Sequence, residues 1–140
     1  MTLTAECHCG RVRVVAPGPP PYRNECSCSV CYKYGALWAY YKKTEVTIEV
    51  QGHPAVSAAS AAATSPTPLP GLDVYIRADD DGRRAHLTFN RCAHCGCMTH
   101  WSCVAGPEST EPESLVGVNS RLMDERQLVG VERRPSPGPE

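Results

Sequence analysis

The sequence is poor in the side chains that usually build a core, with one phenylalanine and two tryptophans in 140 residues. Apolar burial alone is therefore thin support, and something else must help to hold the chain together. There is no apolar run of about 18 residues, which excludes a membrane-spanning helix. A net charge of −1 removes the electrostatic basis for binding nucleic acid or an anionic membrane. The opening Met1-Thr2-Leu3-Thr4-Ala5-Glu6-Cys7 has neither a basic start nor an apolar core, so no signal peptide is expected. The length suits one compact domain. With 41% hydrophobic and 21% charged residues, the composition is that of a globular chain and not of a disordered one.

Cysteine is what the sequence has in excess. Nine of them, an odd number in a chain without an export signal, argue for metal before disulfides. Their arrangement carries more weight than their number: Cys7-His8-Cys9-Gly10, then Cys26-Ser27-Cys28-Ser29-Val30-Cys31, then Cys92-Ala93-His94-Cys95-Gly96-Cys97, with Cys103 alone. Cysteines one or three apart in a tight loop can point two thiolates at one ion. Zinc takes four ligands at about 2.0–2.3 Å in a tetrahedron, commonly two from each of two loops. Cys28-Ser29-Val30-Cys31 and Cys92-Ala93-His94-Cys95 also match a redox CxxC, but the βαβ context of such a motif is missing. Isolated Cys103 reads as a buried small hydrophobe.

Period-two alternation predicts strands over Arg11–Val15 and Val46–Val50, and the apolar and aromatic run Ala36–Tyr41 is also strand-like. Val74-Tyr75-Ile76 and His86-Leu87-Thr88-Phe89 flank Asp79-Asp80-Asp81-Gly82, a hairpin signal. Leu115–Val118 reads as a further strand. Helix is expected only as a turn near Ser29–Tyr34 and at Asp124–Leu128. The fold class is mainly β, a single domain over residues 1–132. Pro54–Pro70, made of Ala, Ser, Thr and Pro, reads as a flexible insertion, with a marginal Ala-rich helix at Ser57–Ala63 as the alternative. The tail 133–140 is expected to be disordered.

The cysteine order Cys7-x-Cys9-Gly10, Cys26-x-Cys28-Ser29-x-Cys31, Phe89-x-x-Cys92-x-x-Cys95-Gly96 resembles the glutathione-dependent formaldehyde-activating enzyme family, which includes centromere protein V relatives. The flanks Cys31-Tyr32-Lys33-Tyr34-Gly35-Ala36-Leu37-Trp38-Ala39-Tyr40, Thr99-His100-Trp101 and Gly117-Val118-Asn119-Ser120-Arg121 agree with it. The resemblance covers about Thr4 to Arg121 without the Ala/Pro insertion. It implies a small zinc-stapled β-tent (Mss4-like) with two zinc ions per chain, Cys7, Cys9, Cys92 and Cys95 forming a closed structural site. Two cysteine pairs so far apart would also close a long loop, whose entropy cost the metal offsets.

Cys26, Cys28 and Cys31 offer three thiolates from one short segment and no obvious fourth ligand, the arrangement of catalytic sites with an open position. In the family this second zinc is associated with glutathione, whose thiol would bind as a thiolate and add to an aldehyde carbon. The resemblance thus implies a carbon–sulfur lyase acting on a thiol adduct of formaldehyde or a larger aldehyde. Two alternatives stand beside it: a zinc enzyme for another small carbonyl or glutathione conjugate in a biosynthetic pathway, and a non-enzymatic zinc module serving a protein partner. Cys97, Cys103, His94 or His100 could instead close the second site, and Cys97 departs from the small hydroxyl residue found in many relatives. Tyr32, Tyr34, Trp38, Tyr40 and Tyr41 read as a pocket wall or, for most of them, strand core. Lys33, Asn119 and Arg121 are candidates for orienting a polar ligand, His8 and His94 for exposed loop positions, and His100 for a general base. Glutathione implies a reducing cytoplasm, and exposed strand edges would allow a homodimer.

Overall fold

The computed structural model describes residues 2–59, 69–77, 87–103 and 114–136, and of Cys103 the backbone only. Alternation along Val12–Ala16 (β2) and Thr47–Val50 (β5) buries Val12, Val14, Ala16, Ile48 and Val50 on one face, as period-two side-chain direction requires. With Leu3–Glu6 (β1) and Val56–Ser57 (β6) they form an antiparallel sheet in the order β1-β2-β5-β6.

The second sheet has seven strands. Tyr22–Cys26 (β3) leads into a short helix, Ser29–Tyr34 (α1), and then Trp38–Lys42 (β4). Leu72–Ile76 (β7), Leu87–Cys92 (β8), Met98–Cys103 (β9), Leu115–Asn119 (β10) and Glu132–Ser136 (β11) complete it. The order is β11-β3-β4-β10-β9-β8-β7, antiparallel throughout except that β11 runs parallel to β3. The expected helical turns are present, α1 at the first and a 3₁₀ turn over Glu125–Leu128 at the second.

The larger sheet is covered differently on its two faces. Ala39, Tyr41, Val116 and Val118 meet the apolar face of the smaller sheet, and the main core fills the space between them. On the opposite face Trp38, Phe89 and Met98 form a second, smaller core with Ala36, Cys26 and Cys31. Strand alternation explains the split: Trp38 and Tyr40 point to one side, Ala39 and Tyr41 to the other. On the second face Trp101 lies over Gly117, its cross-strand partner, where any Cβ would collide with the indole.

Two expectations need correction. Pro54–Pro70 is not wholly a loose insertion, because Val56–Ser57 pairs with β5 and Ala58 is buried in the main core; residues 60–68 lie outside the described residues, as does the Asp79–Gly82 turn. The tail from Arg133 is not frayed over its first part. Residues 132–136 pair along β3, with Arg133 on Glu25 at 2.7 Å and the Arg134 guanidinium 4.2 Å from the Tyr22 ring centre. Edge pairing and ion contacts hold a segment that has no apolar pattern of its own; residues 137–140 are outside the described set. No helix among the described residues is long and apolar enough to cross a membrane.

Candidate metal centres

The sequence's cysteine pairs become two tight turns, one after β1 and one, a residue longer, after β8. In each, a backbone N–H returns to the first cysteine's carbonyl, Gly10 to Cys7 at 3.0 Å and Gly96 to Cys92 at 2.9 Å. Gly10 and Gly96 sit at φ of 82° and 81°, left-handed values that glycine adopts without strain. The two turns belong to different sheets and meet so that the sulfurs of Cys7, Cys9, Cys92 and Cys95 all lie within 4.8 Å of one another. Cys7–Cys9 and Cys9–Cys92 are each 3.6 Å apart. A disulfide would need about 2.0 Å, whereas sulfurs at the corners of a tetrahedron around zinc stand about 3.8 Å apart. The spacing fits a four-coordinate metal ion.

The second group is built locally. Cys26 ends β3, Cys28 precedes α1 and Cys31 lies in its first turns, so one chain reversal brings three sulfurs within 4.8 Å. β3 is fixed by buried Arg23, which donates to Ser120 Oγ at 2.8 Å and to the Glu125 carboxylate at 3.1 and 3.2 Å. No fourth cysteine or histidine joins the three among the described residues. Both groups are all-sulfur donor sets, chemistry suited to borderline or soft ions such as zinc.

Electrostatics divides the sulfurs within each group. Burial pushes the Cys7 thiol up to about 12. Burial also acts on Cys95, but backbone N–H groups of Cys97 and Cys9 draw it down to about 5. In the second group burial raises Cys31 and Cys26. Cys28 ends below its ordinary value, because hydrogen bonds from Cys31 and Cys26 and the charge of Arg77 outweigh its burial. Within each group the sulfurs thus differ in how readily they give up a proton. A divalent ion replacing the remaining protons would satisfy all of them.

Several candidates move to other roles. Cys97 packs at the four-thiol centre, against the main core and beside Cys95, and not at the three-thiol group it was considered to close; the β8–β9 turn carries it to the other side of the sheet. His100 also faces away from the three thiols. It is fully buried, burial lowers it to about 4, and its Nδ1 is 2.9 Å from Thr99 Oγ1, so a general base there has no access to substrate. His8 and His94 are exposed and join neither group. The side chain of Cys103 lies outside the described residues.

Asn119 and Arg121 serve the backbone: Asn119 accepts from Leu37 N and Arg121 N and donates to Met98 O, while Arg121 donates to Gly35 O. Of the aromatics, Trp38 is core, Tyr41 donates to Gly18 O on the opposite side of the sheet, Tyr32 is exposed, and half-buried Tyr40 accepts from Asn24. Tyr34 does line a cleft of about 380 Å³ beside α1, with Ser29, Val30, Lys33 and Tyr75. The sequence reading missed Tyr75, which alternation on β7 turns toward Phe89 on β8. It also missed Arg77, whose Nη1 donates to Cys28 Sγ at 3.8 Å.

No family model matches the chain, and no curated protein matches it. A crystal structure of a Rhodobacter sphaeroides protein is similar, with a TM-score of 0.57 and 20% identity over 94% of this chain and 99% of that one. At that identity the likeness shows the fold alone. The chain is a mainly β domain of two sheets carrying two cysteine groups able to hold metal ions.

Proposed function

We propose that the chain is a two-zinc protein of the formaldehyde-activating type its cysteine order resembles, with one structural ion and one reactive site. The observation that carries this reading is the unequal donor count: four sulfurs in one group, three in the other. Cys7, Cys9, Cys92 and Cys95 would complete a tetrahedron and leave no position for chemistry. Cys26, Cys28 and Cys31 would hold a second ion with one position open. When bound there, zinc supplies a place at which a substrate thiol ionises near neutral pH.

The chain's own residues support a thiol-and-carbonyl reaction. The cleft beside α1 is of ligand-binding size, and exposed Lys33 and the Tyr34 and Tyr75 side chains on its wall suit a small thiol with an anionic tail, glutathione by the resemblance. In the reaction proposed, the thiol sulfur forms a bond to the aldehyde carbon as the carbonyl π pair moves to oxygen. That oxygen takes up the proton the thiol released, giving an S-hydroxyalkyl adduct. The reverse step cleaves the same carbon–sulfur bond, and no further reactant is needed. A glutathione substrate places the protein in a reducing compartment such as the cytoplasm, where its thiols stay available for metal.

The test is metal content by mass spectrometry on the wild type beside Cys28→Ser. Two zinc per chain, falling to one with the fold intact, is the expected result. One zinc in both proteins would remove the three-thiol site and the proposed reaction with it. Cadmium or cobalt in the second site should then give a spectrum that shifts when a thiol is added; an unchanged spectrum would mean the site is closed.

A further inference from the structure

The two cysteine groups receive different hydrogen bonds. At the four-thiol centre the donors are backbone N–H groups, Val12 to Cys7 at 3.3 Å and Cys95 to Cys92 at 3.4 Å. At the three-thiol centre backbone N–H groups of Cys28 and Cys31 also act on the sulfurs of Cys26 and Cys28, and the chain adds side chains to them. Arg77, only 6% exposed, reaches Cys28 from the far edge of the larger sheet across 49 residues of sequence. Trp38, 1% exposed, shares the small core with Cys26 and Cys31, and its indole nitrogen has no hydrogen-bond partner. A buried N–H left unpaired is costly, so a nearby acceptor is favoured.

Charge counting gives Arg77 a role. Three thiolates around a divalent ion leave one net negative charge, and a fourth anionic ligand would make two. In a half-buried setting each uncompensated charge is expensive. We propose that Arg77 is a positioning residue that lets the three-thiol centre accept an anionic fourth ligand, a thiolate, with the unpaired Trp38 N–H in the same core as a further donor for its sulfurs. The guanidinium offsets the charge of the trio, so the incoming sulfur is received without doubling it. This rests on the open-site reading above and adds to it a preference for anionic over neutral ligands. Hydrogen-bonding partners of ligating groups tune metal sites in this way, typically by 10–100-fold.

The experiment uses the full chain loaded with cobalt and titrated separately with 2-mercaptoethanol, which has no charged tail for Lys33 to hold, and with neutral imidazole. Binding is read from the cobalt absorption bands. In the wild type both ligands should shift the spectrum; if neither does, the open site itself fails. In Arg77→Gln, thiol affinity should fall about tenfold or more, with imidazole affinity changed less than about twofold. Equal thiol affinity in the wild type and Arg77→Gln would overturn the inference. Should Arg77→Gln empty the three-thiol centre, Arg77→Lys decides: restored metal and thiol binding supports a charge role, and an empty centre in both variants assigns Arg77 to packing and overturns it. In Trp38→Phe the sulfur-to-cobalt band should move to longer wavelength with two ions retained; an unmoved band removes Trp38 from the proposal.

Discussion

The two cysteine groups differ first in where their sulfurs come from. Cys9 and Cys92 meet across 83 residues and join the ends of two sheets. Cys26, Cys28 and Cys31 come from a single reversal on one face of one sheet. The same ligand chemistry therefore has opposite structural consequences. Metal at the first group crosslinks the fold and closes a long loop. Metal at the second organises six residues and a short helix, and can be lost without separating the sheets. On the reading proposed above, holding falls to the first group and presenting a ligand to the second.

The largest test of that division is Cys92→Ser. Removing one sulfur of the crosslink should cost at least about 3 kcal/mol, a fall of roughly 10 °C in the unfolding midpoint, or prevent folding altogether. A midpoint unchanged within about 2 °C would show that the sheets do not depend on the ion.

Acid probes the same side of the larger sheet. His100 is neutral in the folded protein down to about 4, whereas in the unfolded chain it takes a proton below about 6.5. Protons thus favour unfolding in that window. Stability is full above about 6.5 and declines as pH falls toward 4, by on the order of 3 kcal/mol from this residue. Thiol protonation and metal loss add to the decline, so the quantity to measure is the difference in midpoint between wild type and His100→Gln across the window. That difference should shrink or reverse as the pH drops, and a constant gap would mean His100 is not held neutral.

Smaller effects belong to the second face. Gly117→Ala forces the Trp101 indole to move, at a cost of about 1–3 kcal/mol, and should alter tryptophan fluorescence while leaving the four-thiol centre loaded. Cys28→Ser should have the least effect on stability, a midpoint shift within about 5 °C, although it removes one metal ion. A collapse as large as that of Cys92→Ser would erase the distinction between the groups.

The sequence exposes the two groups unusually well, because metal ligands a few residues apart carry their geometry in their spacing. Strands β2 and β5 were legible for a related reason: one buried face writes a period of two. β3 was not, since Tyr-Arg-Asn-Glu-Cys sends a buried arginine inward to Ser120 and Glu125 where an apolar residue would have signalled a strand. β11, Glu-Arg-Arg-Pro-Ser, is stabilised by pairing and ion contacts that only its neighbour supplies. The Arg77–Cys28 contact had no sequence signal, because it depends on how β7 lies relative to α1. Cys97 shows the opposite error. Its place two residues after Cys95 made it a candidate fourth ligand for the three-thiol group, but turn geometry directs it to the group that already has four sulfurs.

The parallel pairing of β11 with β3 also bears on the order of assembly. Ser27 N and Oγ both bond to Ser136 O at 2.9 Å, 109 residues away. Contacts of such sequence separation form late, since their loop entropy must be met before they contribute. During synthesis the β1–β2 hairpin and its two cysteines can form early, but the strand that ends in Cys26 gains its second neighbour only when residue 136 has left the ribosome. The three-thiol loop is thus among the last parts of the protein to settle, and a nascent chain would hold three unshielded thiols until then.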